Sequence, residues 1–149
     1  MKNIISIVLF SILSLGCSSN VEDSEELSIK ETPDFIDSKG IEMLETFYRK
    51  YFVLVENSID PSELENLQVE NCTKEFMKKS KKWKIDYDPF INAQDASAES
   101  ANSLIIKRIS NREKTFSVSY TYPGRDTPNE ILLTLEIVDG IYLISNIDL

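Results

Sequence analysis

At 149 residues with 42% hydrophobic composition, the chain has room for one small domain with a core of its own. It carries 25 acids against 16 bases, a formal net charge of −9, which makes it a poor nucleic-acid binder. It has no histidine and two cysteines, which removes Ser-His and Cys-His nucleophilic pairs, histidine metal sites and any credible zinc ligand set.

The first sixteen residues, MKNIISIVLFSILSLG, read as a lipoprotein signal peptide. Lys2 is a short basic start, and the apolar run from Ile4 to Leu15 is too short to span a bilayer as a stable helix. Leu13-Ser14-Leu15-Gly16-Cys17 looks like a bacterial lipobox: small residues let the peptidase reach the backbone, and the Cys17 thiol accepts diacylglycerol. Several acyl chains on one residue give stable anchoring where a single chain is marginal, so a membrane partner through an N-terminal lipid such as palmitate is expected. Ser18 in the position after the cysteine resembles the pattern sent on to an outer membrane, facing the periplasm or the cell surface. With Cys17 acylated, Cys72 is left without an intramolecular disulfide partner, and an unpaired thiol in an oxidising compartment is safest buried.

Residues 17–39 follow as the lipidated cysteine and a flexible acidic tether, too polar to bury enough surface to offset the entropy of ordering. The cluster Glu22, Asp23, Glu25 and Glu26 resembles acidic export signals placed just after a lipidated cysteine, although charged tethers also extend by self-repulsion alone.

A single domain is expected over residues 40–149. Its first helix runs from about 40 to 57, with Ile41, Leu44, Tyr48, Tyr51 or Phe52, and Val55 at helical spacing. Asp60-Pro61-Ser62-Glu63 is a helix start, with an acidic cap, proline at the first position and glutamate at the third; that helix is expected to end near Gln68. Another begins around Cys72, with Cys72, Phe76 and Trp83 on one side and Lys74, Lys78, Lys81 and Lys82 on the other. Residues 71–84 hold six bases and one acid, so the lysine face is a candidate for anionic lipid, lipopolysaccharide phosphate or an acidic partner, although a solvated face with stems lying over the core is the plainer reading.

Residues 86–97, DYDPFINAQDAS, divide the helical part of the chain from the strand-forming part. Asp88 before Pro89 suits a capped helical turn through Phe90, Ile91 and Ala93. Asp86, Asp88, Asn92 and Asp95 are all oxygen ligands, but a calcium loop of the EF-hand kind needs glycine and glutamate where Ile91 and Ser97 stand. No metal is therefore expected. Asp88-Pro89-Phe90 followed by Ala93-Gln94-Asp95 resembles the signature of an uncharacterised bacterial lipoprotein family, domain of unknown function 3828. The similarity would cover roughly residues 40–148. It implies an α+β fold of the cystatin-like, nuclear transport factor 2-like kind and transfers no catalytic residue.

Four strands are expected after this stretch: Ser103 to Ile109, Thr115 to Tyr122, Glu130 to Val138 and Ile141 to Asp148. Asp139-Gly140 is a two-residue hairpin loop that fixes register, pairing Val138 with Ile141, Ile137 with Tyr142 and Leu135 with Ile144. One face then gathers Ile131, Leu133, Leu135, Ile137, Tyr142 and Ile144 against the helices. The other carries Leu132, Val138, Ile141, Leu143 and Ile147, a candidate interaction face that needs cover from the chain, a ligand, a partner or a second copy.

The expected architecture is thus α+β, N-terminal helices packed on a C-terminal, mostly antiparallel four-stranded sheet. No spacing singles out a carboxylate pair for acid–base work, and no glycine-rich phosphate loop occurs among four glycines, so neither enzyme activity nor a cofactor is expected. The functional expectation is a lipid-anchored envelope module that binds a ligand or protein. The alternatives are an immunity-type lipoprotein that neutralises a basic toxin, and a purely structural envelope protein.

Overall fold

The computed structural model describes residues 33–57 and 60–149. The expected signal peptide, Cys17 and the expected tether up to residue 32 lie outside them. Helix α1 spans Pro33–Asn57, so it starts seven residues before the expected boundary and includes residues 33–39, which were expected in the tether. Proline is well suited to a first helical turn, where its missing N–H has no partner to lose. An apolar stripe cannot announce a turn that lies upstream of it. Leu44, Phe47, Tyr48, Tyr51 and Phe52 form the buried face of α1. Gly40 lets this helix approach the sheet: a Cβ there would stand 2.9 Å from Phe116 Cζ and 3.2 Å from Leu135 Cδ1.

Helix α2, Pro61–Asn71, starts where expected, with the Asp60 side chain accepting from Ser62 N–H at 2.8 Å, and runs one turn further than Gln68. Residues 72–73 are then extended, with Thr73 N–H donating to the Ile144 carbonyl at 2.9 Å. Cys72 is therefore a bridge residue beside the sheet, not the first residue of a helix. The Thr73 hydroxyl caps helix α3, Lys74–Ser80, by accepting from Phe76 N–H at 3.2 Å. The expected long helix shrinks to two turns, but its buried side is the expected one: Cys72 and Phe76 are core, and Trp83 meets Phe76 edge-on at 5.6 Å. Burial pushes the Cys72 thiol up to about 12. In a Cys17→Ser chain, where Cys72 is the sole thiol, a soluble thiol reagent should react slowly with native protein and quickly after denaturant. Fast native labelling would contradict that burial.

After a 3-10 helix at Ala98–Ser103, four strands follow: β1 Ile105–Arg108, β2 Thr115–Tyr120, β3 Asn129–Val138 and β4 Ile141–Asp148. They form one antiparallel sheet in the order β1-β2-β3-β4, beneath the helices. Phe116, Val118, Tyr120, Ile131, Leu133, Leu135 and Ile144 supply the inner face. Asp139 and Gly140 both have positive φ, 53° and 79°, as the type I′ loop requires, and the three expected pairs all form.

Beyond Leu135 the register shifts. Leu135 pairs with Ile144 but Thr134 pairs with Asn146, leaving Ser145 as an extra residue whose hydroxyl donates to the Thr134 carbonyl at 3.2 Å. Side chains alternate with period two, so one inserted residue turns everything beyond it to the opposite face. Ile147 consequently lies against the core, paired with Leu133 and only 3% exposed. It does not belong to the candidate interaction face, where strict alternation puts it.

Candidate functional site

The stretch 86–97 is a pinned loop rather than a helical turn. Asp88 N–H donates to the Ala93 carbonyl at 2.8 Å, closing a short antiparallel bridge, and the Asp88 side chain accepts from Phe90 N–H at 2.8 Å. Aspartate thus caps a local turn as its chemistry favours, but Asn92, at φ 48°, turns the chain back before a second helical turn can form. Phe90 and Ile91 enter the core, and the Tyr120 hydroxyl donates to the Ile91 carbonyl at 2.7 Å. Asp95 Oδ1 accepts from Ala96 N–H at 2.8 Å. Most of the motif's polar atoms therefore hold the loop's own backbone in place.

Asp88 does more than cap. Its Oδ2 accepts from the Tyr51 hydroxyl at 2.7 Å, and that hydroxyl oxygen accepts from Gln68 Nε2 at 2.9 Å. Residues from α1, α2 and the loop, 37 and 17 positions apart, meet in one relay. Burial pushes the Asp88 carboxyl above its ordinary value, against the opposing pull of the Tyr51 and Phe90 hydrogen bonds. Tyr51 is raised as well, by its own burial first and then by the Asp88 charge. The unfolded chain should therefore release its Asp88 proton first, near pH 4, so stability should fall as pH rises from there through the raised native pKa. In Asp88→Asn, which keeps the side-chain shape, that component should vanish, and the stability difference from wild type should move in the mutant's favour with rising pH. Urea unfolding at several pH values between about 4 and 7 measures it. A wild type whose Asp88 component instead rises with pH would contradict the sign.

An open cleft of about 320 Å³ lies over this relay, between α2, α3 and the loop. Leu64 and Met77 line its walls, Gln68, Asp88 and Phe90 contribute to its lining beside the relay, and Lys81 stands at its edge, paired with Glu65 at 3.0 Å. Gln94 and Asp95 line a separate recess of about 370 Å³ with Asn129, Tyr122 and Arg125, whose guanidinium lies over the Tyr122 ring at 5.5 Å. The two halves of the motif thus serve different surfaces: Asp88, Pro89 and Phe90 one, Ala93, Gln94 and Asp95 the other. Among the described residues no three acidic or cysteine side chains converge as a metal-binding group. Sequence reasoning missed Gln68 and Arg125. Gln68 left a faint trace, a polar residue one turn after Leu64 on the side of α2 that faces the core.

The outer face of the sheet carries Leu132, Leu143, Val138 at 38% exposure and Ile141 at 62%. Val138, Ile141 and Leu143 gather at the hairpin end, while Thr134 and Glu136 separate them from Leu132. The expected contiguous patch of five is therefore a cluster of three with one outlier. Lys74, Lys78, Lys81 and Lys82 are all exposed, and of these only Lys81 has an ion-pair partner among the described residues.

No protein-family model matches the chain, and no curated protein matches it. A crystal structure of a Bacteroides thetaiotaomicron protein of unknown function is similar to it, with a TM-score of 0.70 and 27% identity over 78% of this chain and 93% of that one. The likeness supports the layered α+β architecture. It brings no activity with it.

Proposed function

We propose that the protein is a bacterial envelope lipoprotein, anchored through diacylglycerol on Cys17, that works by binding and not by catalysis. The contact surface is the hairpin end of the outer sheet face, and its occupant is a protein partner or a second copy of the chain. One observation carries the binding part of this reading: the helices lie on one face of the sheet, against Phe116 and Leu135, while Val138 and Leu143 stand on the other, and Ile141 adjoins them at the hairpin edge, where it also lines a recess with Met43 of α1 and Asn71 of α2. Isolated surface aliphatics need no explanation, but three adjoining ones on a sheet favour a contact. The anchor rests on the lipobox sequence, Leu13 to Cys17.

Two measurements test the two parts. Cys17→Ser should abolish fatty-acid labelling and leave an unprocessed precursor; retained labelling would overturn the anchor. Light scattering and chemical cross-linking should detect association of the full chain that Leu143→Glu disrupts without loss of helical circular dichroism. A wild type that neither self-associates nor gives a discrete cross-linked complex in envelope membranes would overturn the binding surface.

A further inference from the structure

The cleft over Asp88 is a second, independent surface, and its chemistry is lopsided. Asp88 is a carboxylate that receives two hydrogen bonds, both from neutral donors, Tyr51 O–H and Phe90 N–H. Among the described residues no lysine or arginine stands within ion-pair distance of it; the nearest cation of the cleft, Lys81, is held by Glu65. Gln68 spends an amide hydrogen on the Tyr51 hydroxyl, and its carbonyl oxygen has no hydrogen-bond partner among the described residues. Ser80 directs its hydroxyl hydrogen to the Met77 carbonyl at 3.1 Å. Beside the relay the cleft thus presents the remaining lone pairs of Asp88 and the Gln68 carbonyl oxygen, and its unspent donors are the second Gln68 amide hydrogen and the Glu65-paired Lys81 ammonium.

The remainder of the lining is apolar: Pro61, Leu64, Met77 and Pro89. A volume of about 320 Å³ falls at the small end of the roughly 300–1,000 Å³ range of ligand pockets. An inorganic cation would find one carboxylate free of an ion pair, Asp88, where calcium or magnesium needs several oxygens, and an anion would meet the Asp88 charge with only the Glu65-paired Lys81 to offset it. A neutral apolar molecule would leave the carboxylate as uncompensated as before. What fits is a positive donor attached to an apolar body.

We propose that this cleft binds a small organic ammonium ion, its N–H donors on the Asp88 carboxylate and the Gln68 carbonyl, its apolar body against Leu64, Met77 and Pro89. The ligand supplies the counter-charge that the protein does not. Tyr51 is a positioning residue: its hydroxyl, ordered by the Gln68 amide, fixes one carboxylate oxygen so that the rest of the group faces the cleft, while Gln68 meets the ligand through its carbonyl.

The probe is 2-phenylethylamine at pH 7, compared with 2-phenylethanol, which has the same body and no charge. Titration of the full chain, followed by the Met77 methyl and Gln68 side-chain amide resonances, should show saturable shifts at both positions. The amine should bind roughly ten- to a hundredfold tighter than the alcohol, the range of a charge-assisted hydrogen bond. Asp88→Asn should erase that preference while leaving weak binding of both. Equal affinity for amine and alcohol, shifts confined to acidic surface positions away from the cleft, or a preference that survives Asp88→Asn would each overturn the proposal. Should Asp88→Asn not fold, the amine–alcohol comparison at Met77 and Gln68 in the wild type decides alone.

Discussion

Phe90→Ala should destabilise the protein by roughly 3–5 kcal/mol, the cost of removing a buried aromatic ring and leaving a cavity. Phe90 is 3% exposed, and its ring lies 5.3 Å from Tyr51, 5.6 Å from Phe47 and 5.8 Å from Phe76, centroid to centroid. It therefore joins α1, α3 and the central loop, and no single neighbour can relax into the space it leaves. Pro89→Ala, one residue earlier and half-buried, should cost far less. Chemical denaturation of both variants measures the contrast. A Phe90→Ala loss below about 1 kcal/mol would mean that the loop merely rests on the core.

Ile147→Glu should unfold the domain or cost at least about 3 kcal/mol, whereas Leu143→Glu should leave it folded. The two residues stand on the same strand, both at odd positions, and a strand without irregularity would put them on one face. The extra residue at Ser145 separates them: Leu143 pairs with Glu136 on the outer face, and Ile147 pairs with the fully buried Leu133. A glutamate at 147 would bring a charge into contact with aliphatic side chains and no partner. At 143 it would adjoin Glu136, a like-charge pair across strands that weakens but does not break a sheet. Thermal unfolding followed by circular dichroism distinguishes the two outcomes. Equal tolerance at both positions would contradict the register shift.

That pair also shows how far the sequence could be read. The hairpin was legible because Asp139-Gly140 carries its own backbone requirement, and pairing follows outward from it by counting. The count fails at Ser145, since a bulge is made by the competition between twist and pairing and leaves no mark in a short polar residue. The helix caps at Asp60 and Pro61 were legible for the same local reason. The helix beginning at Cys72 was not: Thr73 is also a good cap, and what removes Cys72 from the helix is a hydrogen bond between its neighbour and Ile144, far along the chain. The Asp88 loop was readable as a turn, but its link to Tyr51 and Gln68 was not, because nothing in an apolar helical stripe announces which hydroxyl will meet a carboxylate 37 residues away. The candidate cleft is built from such long-range meetings, and the candidate interaction face from local alternation, which is why the second was foreseen in outline and the first was not.

The most direct test of the central claim places a photo-cross-linking side chain at Ile141, the most exposed member of the hairpin cluster at 62%, and for comparison at Lys78 on the lysine face. Both variants are made in the full chain and irradiated in intact envelope membranes. A binding surface at the hairpin end predicts a discrete adduct from position 141, either a dimer of the chain or one heterologous product, that disappears when Leu143→Glu is added and is absent from position 78. No discrete adduct at 141, or the same products from both positions, would contradict it.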